Sequence, residues 1–185
     1  MTGGDERTVL VDASVFITLA EIEAADLLGA LRGRVAVPDA VADEISDDPA
    51  ASRLDRGIES GEIKVVPTEQ RLEERERGSA LETAATHLEE SNAVGPNGDV
   101  ALLALGLTMD DLVVVTDDKP LRNTCKALGV PISGSIGVMV VAVERDAIDS
   151  GAAKRLLAAM DEVGARLSAR LFRKAERLID DVDDN

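Results

Sequence analysis

The sequence contains very few aromatic residues, histidines and cysteines. Among 185 residues there is no Trp, no Tyr, two Phe, one His and one Cys. A single Cys125 cannot form an internal disulfide, and one Cys with one His cannot build a zinc site. The composition therefore excludes disulfide-stabilised scaffolds and zinc-binding modules.

Long apolar stretches are also missing. The run at 137–143 is among the longest, and it is far too short to span a bilayer. The first residues lack a basic segment followed by an apolar one, so we expect no secretion signal, no membrane partner and a cytoplasmic protein. The length predicts a single domain over 1–185, with a core at about 8–145 and C-terminal helices at 150–181.

Acidic residues, in contrast, are abundant, and the formal net charge is −16. Taken alone, this charge argues against nucleic acid as a partner, because it repels phosphates. The acids are spread along the chain, however, and Arg outnumbers Lys, which is typical of a surface adapted to high salt and indicates a halophilic host. In molar salt the Debye length falls to roughly 3 Å, so the overall charge then says little about partners.

Short β-branched runs alternate with helical patterns along the chain. The runs lie at 8–11, 34–37, 63–66 and 112–115, with a weaker one at 130–133. Because they are continuously apolar, they predict strands buried on both faces of a parallel sheet, and the alternation predicts an α/β domain. Helices are predicted at 14–30, 38–45, 50–60, 79–90, 97–107, 120–128, 135–145, 152–163 and 168–180. The charged segments 71–78 and 180–185 are expected to be mobile.

Acidic side chains recur where the carboxyl ends of the predicted strands meet. Asp12 directly follows the first strand, and Asp117 and Asp118 directly follow the strand at 112–115. Glu44 lies in the helix after the second strand, and Asp99 lies in the first turn of the helix that leads into 112–115. In open α/β sheets the functional crevice lies beyond these strand ends, so we expect the carboxylates to converge there.

Clustered carboxylates repel one another, and a hard divalent cation is the usual compensation. Mg²⁺ or Mn²⁺ at such a site can activate water and neutralise charge on a phosphodiester. Each acid also has a structural interpretation, as a helix cap for Asp12, Asp117 and Asp118, as solvated surface for Glu44, or as a partner of the helix dipole for Asp99. Their joint occurrence in one order along the chain favours a shared metal site over these separate structural roles.

Four segments resemble the motifs of PIN-domain nucleases: VDASVFI, VPDAVADEI, NGDVALLALG and VVVTDDKPLRNTCKALGV. The resemblance covers about residues 9–140. The C-terminal part is similar to a prokaryotic branch related to VapC toxins. The stretch 82–107 is similar to the archaeal PIN endonuclease that matures ribosomal RNA, although that enzyme's zinc ribbon is missing here.

The resemblance implies a three-layer α/β/α domain with a four- or five-stranded parallel sheet, binding Mg²⁺ or Mn²⁺ and often forming homodimers. It implies a catalytic acidic set of Asp12, Glu44, Asp99 and Asp118. Asp12, Asp99 and Asp118 would be metal ligands with Asp117 as a further candidate, and Ser14 and Thr116 would orient ligands through their hydroxyls. The family more commonly has Glu where Asp99 stands, which bears on the metal geometry.

Basic residues near these motifs are candidate RNA contacts. Lys119, Arg122 and Lys126 flank the TDD motif, and Arg170, Arg173 and Arg177 share one face of the last predicted helix, where a solvated surface is the alternative. The sequence thus predicts a metal-dependent endoribonuclease, either a toxin with a small antitoxin partner or an RNA-processing enzyme. The competing hypothesis is a PIN-like module that binds RNA or protein without cutting. Receiver and haloacid-dehalogenase folds are disfavoured because their acidic motifs after the first strand are missing.

Overall fold

Five parallel strands form one sheet in the computed structural model, which describes residues 7–74, 79–89, 97–165 and 167–183. The strand order is β3-β2-β1-β4-β5, with β1 at the centre. The strands are β1 (Thr8–Val11), β2 (Arg34–Pro38), β3 (Lys64–Val66), β4 (Leu112–Val115) and β5 (Ile132–Ser133). Leu10 of β1 pairs with Ala36 of β2 and with Val114 of β4, so the apolar runs are buried between both neighbours. The predicted parallel sheet is confirmed.

Helices cover the sheet on both sides and give the predicted α/β/α arrangement. They are α1 (Ala13–Glu21), α2 (Asp39–Glu44), α3 (Ala50–Ser60), α4 (Thr68–Glu74), α5 (Ala80–Leu88), α6 (Gly98–Thr108), α7 (Lys119–Leu128), α8 (Ser135–Glu144), α9 (Ser150–Glu162) and α10 (Ala169–Asp183). Within the described residues, no helix combines the length and apolar character needed to cross a membrane.

Three segments differ from the sequence prediction. The helix predicted at 14–30 is interrupted, because Glu23 adopts a left-handed conformation with φ 57° and the chain resumes as a 3-10 helix at Ala25–Ala30. Residues 71–74 belong to α4 instead of a mobile segment, since Leu72 is only 1 % exposed and anchors that helix. Residues 75–78 lie outside the described part. The end of the chain through Asp183 is likewise helical, as part of α10.

The most completely buried helix is α6, which is apolar on nearly all sides. It leads into β4, so its first turn lies at the same sheet edge as the carboxyl ends of the strands. A fully buried helix cannot shift without disturbing the core, because protein interiors are close-packed. The sequence of α6 therefore fixes the position of Asp99 at this edge.

Candidate active site

Asp12 lies at the centre of the sheet edge, directly after β1. Its backbone N–H donates to the carbonyl of Val115 at 3.0 Å, and its side chain is only 5 % exposed. The Oδ2 atom accepts hydrogen bonds from the hydroxyls of Ser14 at 2.6 Å and Thr116 at 2.7 Å. The Oδ1 atom has no hydrogen bond within the described residues. Every fully buried side-chain oxygen there has a hydrogen-bond partner, so Oδ1 is not fully buried. One carboxylate oxygen is therefore fixed, and the other remains accessible to a ligand.

Thr116 connects Asp12 to the second acid of the edge, Asp118. The Thr116 side chain is completely buried, and its hydroxyl accepts a hydrogen bond from the backbone N–H of Asp118 at 3.1 Å while donating to Asp12. Asp118 in turn caps α7, because its Oδ1 accepts from the N–H of Leu121 at 2.7 Å. One hydroxyl group thus joins the carboxylate of Asp12 to the backbone of Asp118.

Glu44 contacts the start of α6, the helix whose first turn contains Asp99. The Oε1 atom of Glu44 accepts a hydrogen bond from the backbone N–H of Gly98 at 2.8 Å. A Cβ atom on Gly98 would lie 2.8 Å from that same oxygen, so a larger residue here would require the Glu44 side chain to shift. The Oδ1 atom of Asn97 accepts a hydrogen bond from the backbone N–H of Val100 at 2.9 Å and so caps the helix. Asp99 follows Gly98 directly, which sets its carboxylate in the turn that Glu44 approaches.

At this edge Asp12 and Asp118 are linked through Thr116, and Glu44 reaches the turn of α6 that contains Asp99. Within the described ranges, no three Asp, Glu, His or Cys side chains are grouped closely enough to hold one ion together. This arrangement is looser than the single cluster that the sequence predicts. It still suits Mg²⁺, which is usually bound through one or two carboxylates together with water and substrate phosphates.

Asp117 and Arg122 hold the loop beside the acids. Both carboxylate oxygens of Asp117 accept from Ser135, one from its backbone N–H at 3.2 Å and one from its hydroxyl. The Nη1 atom of Arg122 donates to the carbonyls of Thr116 and Ser133, each at 2.6 Å. The structure thus gives Asp117 a capping role at α8 and Arg122 a clamping role between β4 and β5. Their predicted parts in metal and RNA binding remain predictions.

A cleft of about 790 Å³ opens beside Asp118, between the sheet edge and α10. Its walls include Lys119 as predicted, and also Lys174 of α10, which sequence reasoning missed. Arg173 and Arg177 line a different groove of α10, together with Glu176 and Asp180. Lys126 is exposed on α7 and Arg170 on the first turn of α10, and neither lines the cleft. The face of α10 that lines the cleft carries Leu171, Lys174 and Leu178, and their spacing of three and four residues is the sequence signal for that face.

Cys125 is fully buried in α7 and supplies no nucleophile. Burial and, to a smaller extent, the negative charge of Asp99 raise the pKa of its thiol to about 11, while Arg122 acts in the opposite direction. The thiol therefore stays protonated at neutral pH, whereas a thiolate is needed for attack.

Comparison with known proteins identifies one family. A family model described as a PIN domain matches residues 8–181, a range that contains every acid discussed above. The search of curated proteins gave no match.

Proposed function

The chain belongs to the PIN-domain family, whose members are generally nucleases, and from this we propose that it is a Mg²⁺- or Mn²⁺-dependent endoribonuclease. The observation that carries the proposal is the Asp12 carboxylate. It is almost fully buried, and two hydroxyls hold one oxygen while the other stays available. Burying a charge without an ionic partner is costly, so such a carboxylate is best explained by a cation that it binds.

The donor set fits a hard divalent cation. Asp12 and Asp118 offer carboxylate oxygens at one edge, and such oxygens are the ligands that Mg²⁺ and Mn²⁺ prefer. Ser14 and Thr116 fix the orientation of Asp12, as groups around a metal ligand commonly do. We assign the direct contacts to Asp12 and Asp118. Glu44 and Asp99 would hold the opposite side of the site.

The bound ion would lower the pKa of a coordinated water and neutralise charge that develops on the phosphodiester. The chain's own residues would position the reactants. Asp12 and Asp118 hold the site at the sheet edge, and Lys119 at its rim attracts the phosphate backbone. Cys125 is protonated and buried, which leaves water as the nucleophile.

The wider role that we propose is cleavage of cellular RNA in the cytoplasm, by a homodimer, as a VapC-like toxin or as an RNA-processing enzyme. A small antitoxin protein would be the partner in the first case. The charge of −16 fits the halophilic setting inferred above, where salt screens repulsion between the surface and RNA.

A second candidate function is a PIN-like module that binds RNA or protein without cutting it. It is favoured by the looser arrangement of the acids, since no three of the described side chains are grouped around one ion position. Metal-dependent cleavage separates the two candidates, because a non-catalytic module would bind RNA and leave it intact.

The proposal predicts cleavage of a circular single-stranded RNA by the purified protein in high-salt buffer. We expect cutting with Mg²⁺ or Mn²⁺ and at least about a hundredfold slower cutting with EDTA, since water alone is a poor nucleophile for a phosphodiester. A circular substrate has no ends, so it is cut by endonucleases and not by exonucleases. Cleavage at the same rate in EDTA, or binding without cleavage in Mn²⁺, would contradict the proposal.

A further inference from the structure

A groove at the amino ends of β1, β2 and β3, here called the basic groove, lies away from the acidic edge. Thr8, Arg34 and Lys64 are the first residues of these strands, and all three line the groove. Asp12 follows the carboxyl end of β1, so the length of that strand, about 13 Å, separates it from Thr8. The basic groove is therefore a different place in the fold from the proposed metal site.

The register of the sheet brings Arg34 and Lys64 to the same groove. Lys64 pairs with Ala36, which lies two residues after Arg34 on β2, so both basic side chains stand on one face of the sheet. Parallel strands lie about 4.8 Å apart and rise about 3.3 Å per residue, which places these two Cα atoms about 8 Å apart. Both side chains are long enough to contact one ligand between them.

The basic groove carries positive charge without acidic neighbours. Arg34, Lys64 and Arg71 of α4 line it, and among the lining residues that the structure describes there is no Asp or Glu. The side chains of Arg34 and Lys64 have no ion pair or hydrogen bond within the described ranges. Asp111, the acid at the amino end of β4, is paired with Arg7 at 3.0 Å. In a chain with 36 acidic and 20 basic residues, cations gathered in one groove indicate an anionic ligand.

A purely structural explanation accounts for only one of these cations. A lysine on an exposed edge strand hinders pairing with another chain, and β3 is an edge strand, so this role would suffice for Lys64. The strand β2, however, lies between β3 and β1 and has no free edge. Protection of the sheet edge therefore does not explain Arg34.

The size and lining of the basic groove suit a chain of phosphates. Its volume is about 310 Å³, near the lower end of the range of about 300–1,000 Å³ that is typical of small-ligand sites. Arg binds phosphate oxygens through paired N–H donors, and Lys binds them as a point charge, so a ligand with several phosphates can use both kinds of contact. Val65, which is 39 % exposed, and Met109 add an apolar surface beside the cations.

We propose that the basic groove binds a polyphosphate group, with Arg34 and Lys64 as its principal contacts and Arg71 as a third. The group would belong to a nucleoside triphosphate or to an inorganic phosphate chain. The two sources differ at the apolar surface, because only a nucleoside has a base to lie against Val65 and Met109. This binding requires neither a metal at the acidic edge nor nuclease activity.

Isothermal titration calorimetry with ATP, inorganic triphosphate and inorganic phosphate tests the proposal. The titrations contain EDTA, so that no metal can bridge a ligand to Asp12 or Asp118, and the lowest KCl concentration at which circular dichroism shows a folded protein. We expect triphosphate to bind at least about tenfold more tightly than phosphate, because more charged contacts form. Tighter binding of ATP than of triphosphate would assign the site to nucleotides, and equal binding would assign it to inorganic chains.

Single substitutions locate the binding in the basic groove. Lys64→Gln and Arg34→Gln should each raise Kd for triphosphate about five- to tenfold, since each removes one charged contact. The matched controls are Lys154→Gln on α9 and Arg56→Gln on α3, which remove equal charges outside the groove and should bind as the wild type does. All four should keep the wild-type melting temperature within a few degrees. Asp12→Asn should bind triphosphate normally, which separates this test from that of the nuclease activity.

Three results would overturn the proposal. They are no triphosphate binding by the wild type, triphosphate binding no tighter than that of phosphate, and an unchanged Kd in both Lys64→Gln and Arg34→Gln. A short RNA with a 5′-hydroxyl end is titrated in parallel, because an RNA backbone also carries phosphates. If this RNA displaced triphosphate and lost affinity in the same two variants, the basic groove would be a contact for nucleic acid, and the proposal would equally be wrong.

Discussion

Replacing Asp12 with Asn is expected to reduce RNA cleavage by about a thousandfold while leaving the fold intact. Asn has the same shape, and its amide oxygen can still accept the hydrogen bonds from Ser14 and Thr116. Its amide nitrogen, however, would replace the accessible Oδ1, so the site would lose an anionic ligand. Loss of a group that merely orients a metal ligand costs roughly 10–100-fold, and loss of the ligand itself should cost more. The rate is measured under single-turnover conditions in Mn²⁺.

The matched control is Asp55→Asn, since Asp55 is an exposed carboxylate on α3 away from the acidic edge. It removes the same charge and should cleave at the wild-type rate. We also expect Asp12→Asn to melt no earlier than the wild type, because a buried charge without its cation is costly. Cleavage by Asp12→Asn within about tenfold of the wild type would remove Asp12 from the catalytic site.

Thr116→Val is the second change with a large expected effect. Val has nearly the same shape, but it removes the hydroxyl that donates to Asp12 and accepts from the N–H of Asp118. We expect cleavage to fall about 10–100-fold, because the Asp12 carboxylate and the Asp118 backbone lose their common anchor. The free energy of unfolding should fall by about 1–3 kcal/mol, the usual cost of an unpaired buried polar group.

Thr116→Ser distinguishes positioning from simple destabilisation. Ser retains the hydroxyl and should recover most of the cleavage rate, although it creates a small cavity that lowers stability. If the hydroxyl positions the site, cleavage follows the presence of the hydroxyl and not the melting temperature. Equal losses of activity in the Val and Ser variants would show that Thr116 contributes only packing.

Much of the fold follows from local patterns in the sequence. Continuous β-branched runs such as LVVV occur where both faces of a strand are covered, and β4 indeed lies next to the central strand. Gly61 ends α3 in a left-handed conformation with φ 79°, as its position after the helical pattern predicts. Helix α4 was missed because its sequence is mostly charged, and only the tertiary burial of Leu72 accounts for its place in the fold.

The acidic site is only partly predictable in the same way. Asp12 directly follows β1 and Asp118 lies three residues after the end of β4, so the sheet alone brings them to one edge. The engagement of Asp117 with Ser135 depends on how β5 and α8 approach that edge, which no local pattern reveals. Likewise, Lys174 faces the cleft because Ala175 and Ile179 are buried and set the rotation of α10 about its axis. Which side chains meet across different helices and strands depends on tertiary packing, which local sequence patterns do not determine.

A calorimetric titration with Mn²⁺ tests, without any substrate, the claim that the accessible oxygen of Asp12 binds a divalent cation. The wild type and Asp55→Asn are expected to bind Mn²⁺ with the same affinity, and Asp12→Asn at least about tenfold more weakly, as expected for a lost ligand. Indistinguishable Mn²⁺ isotherms for the wild type and Asp12→Asn would contradict the claim.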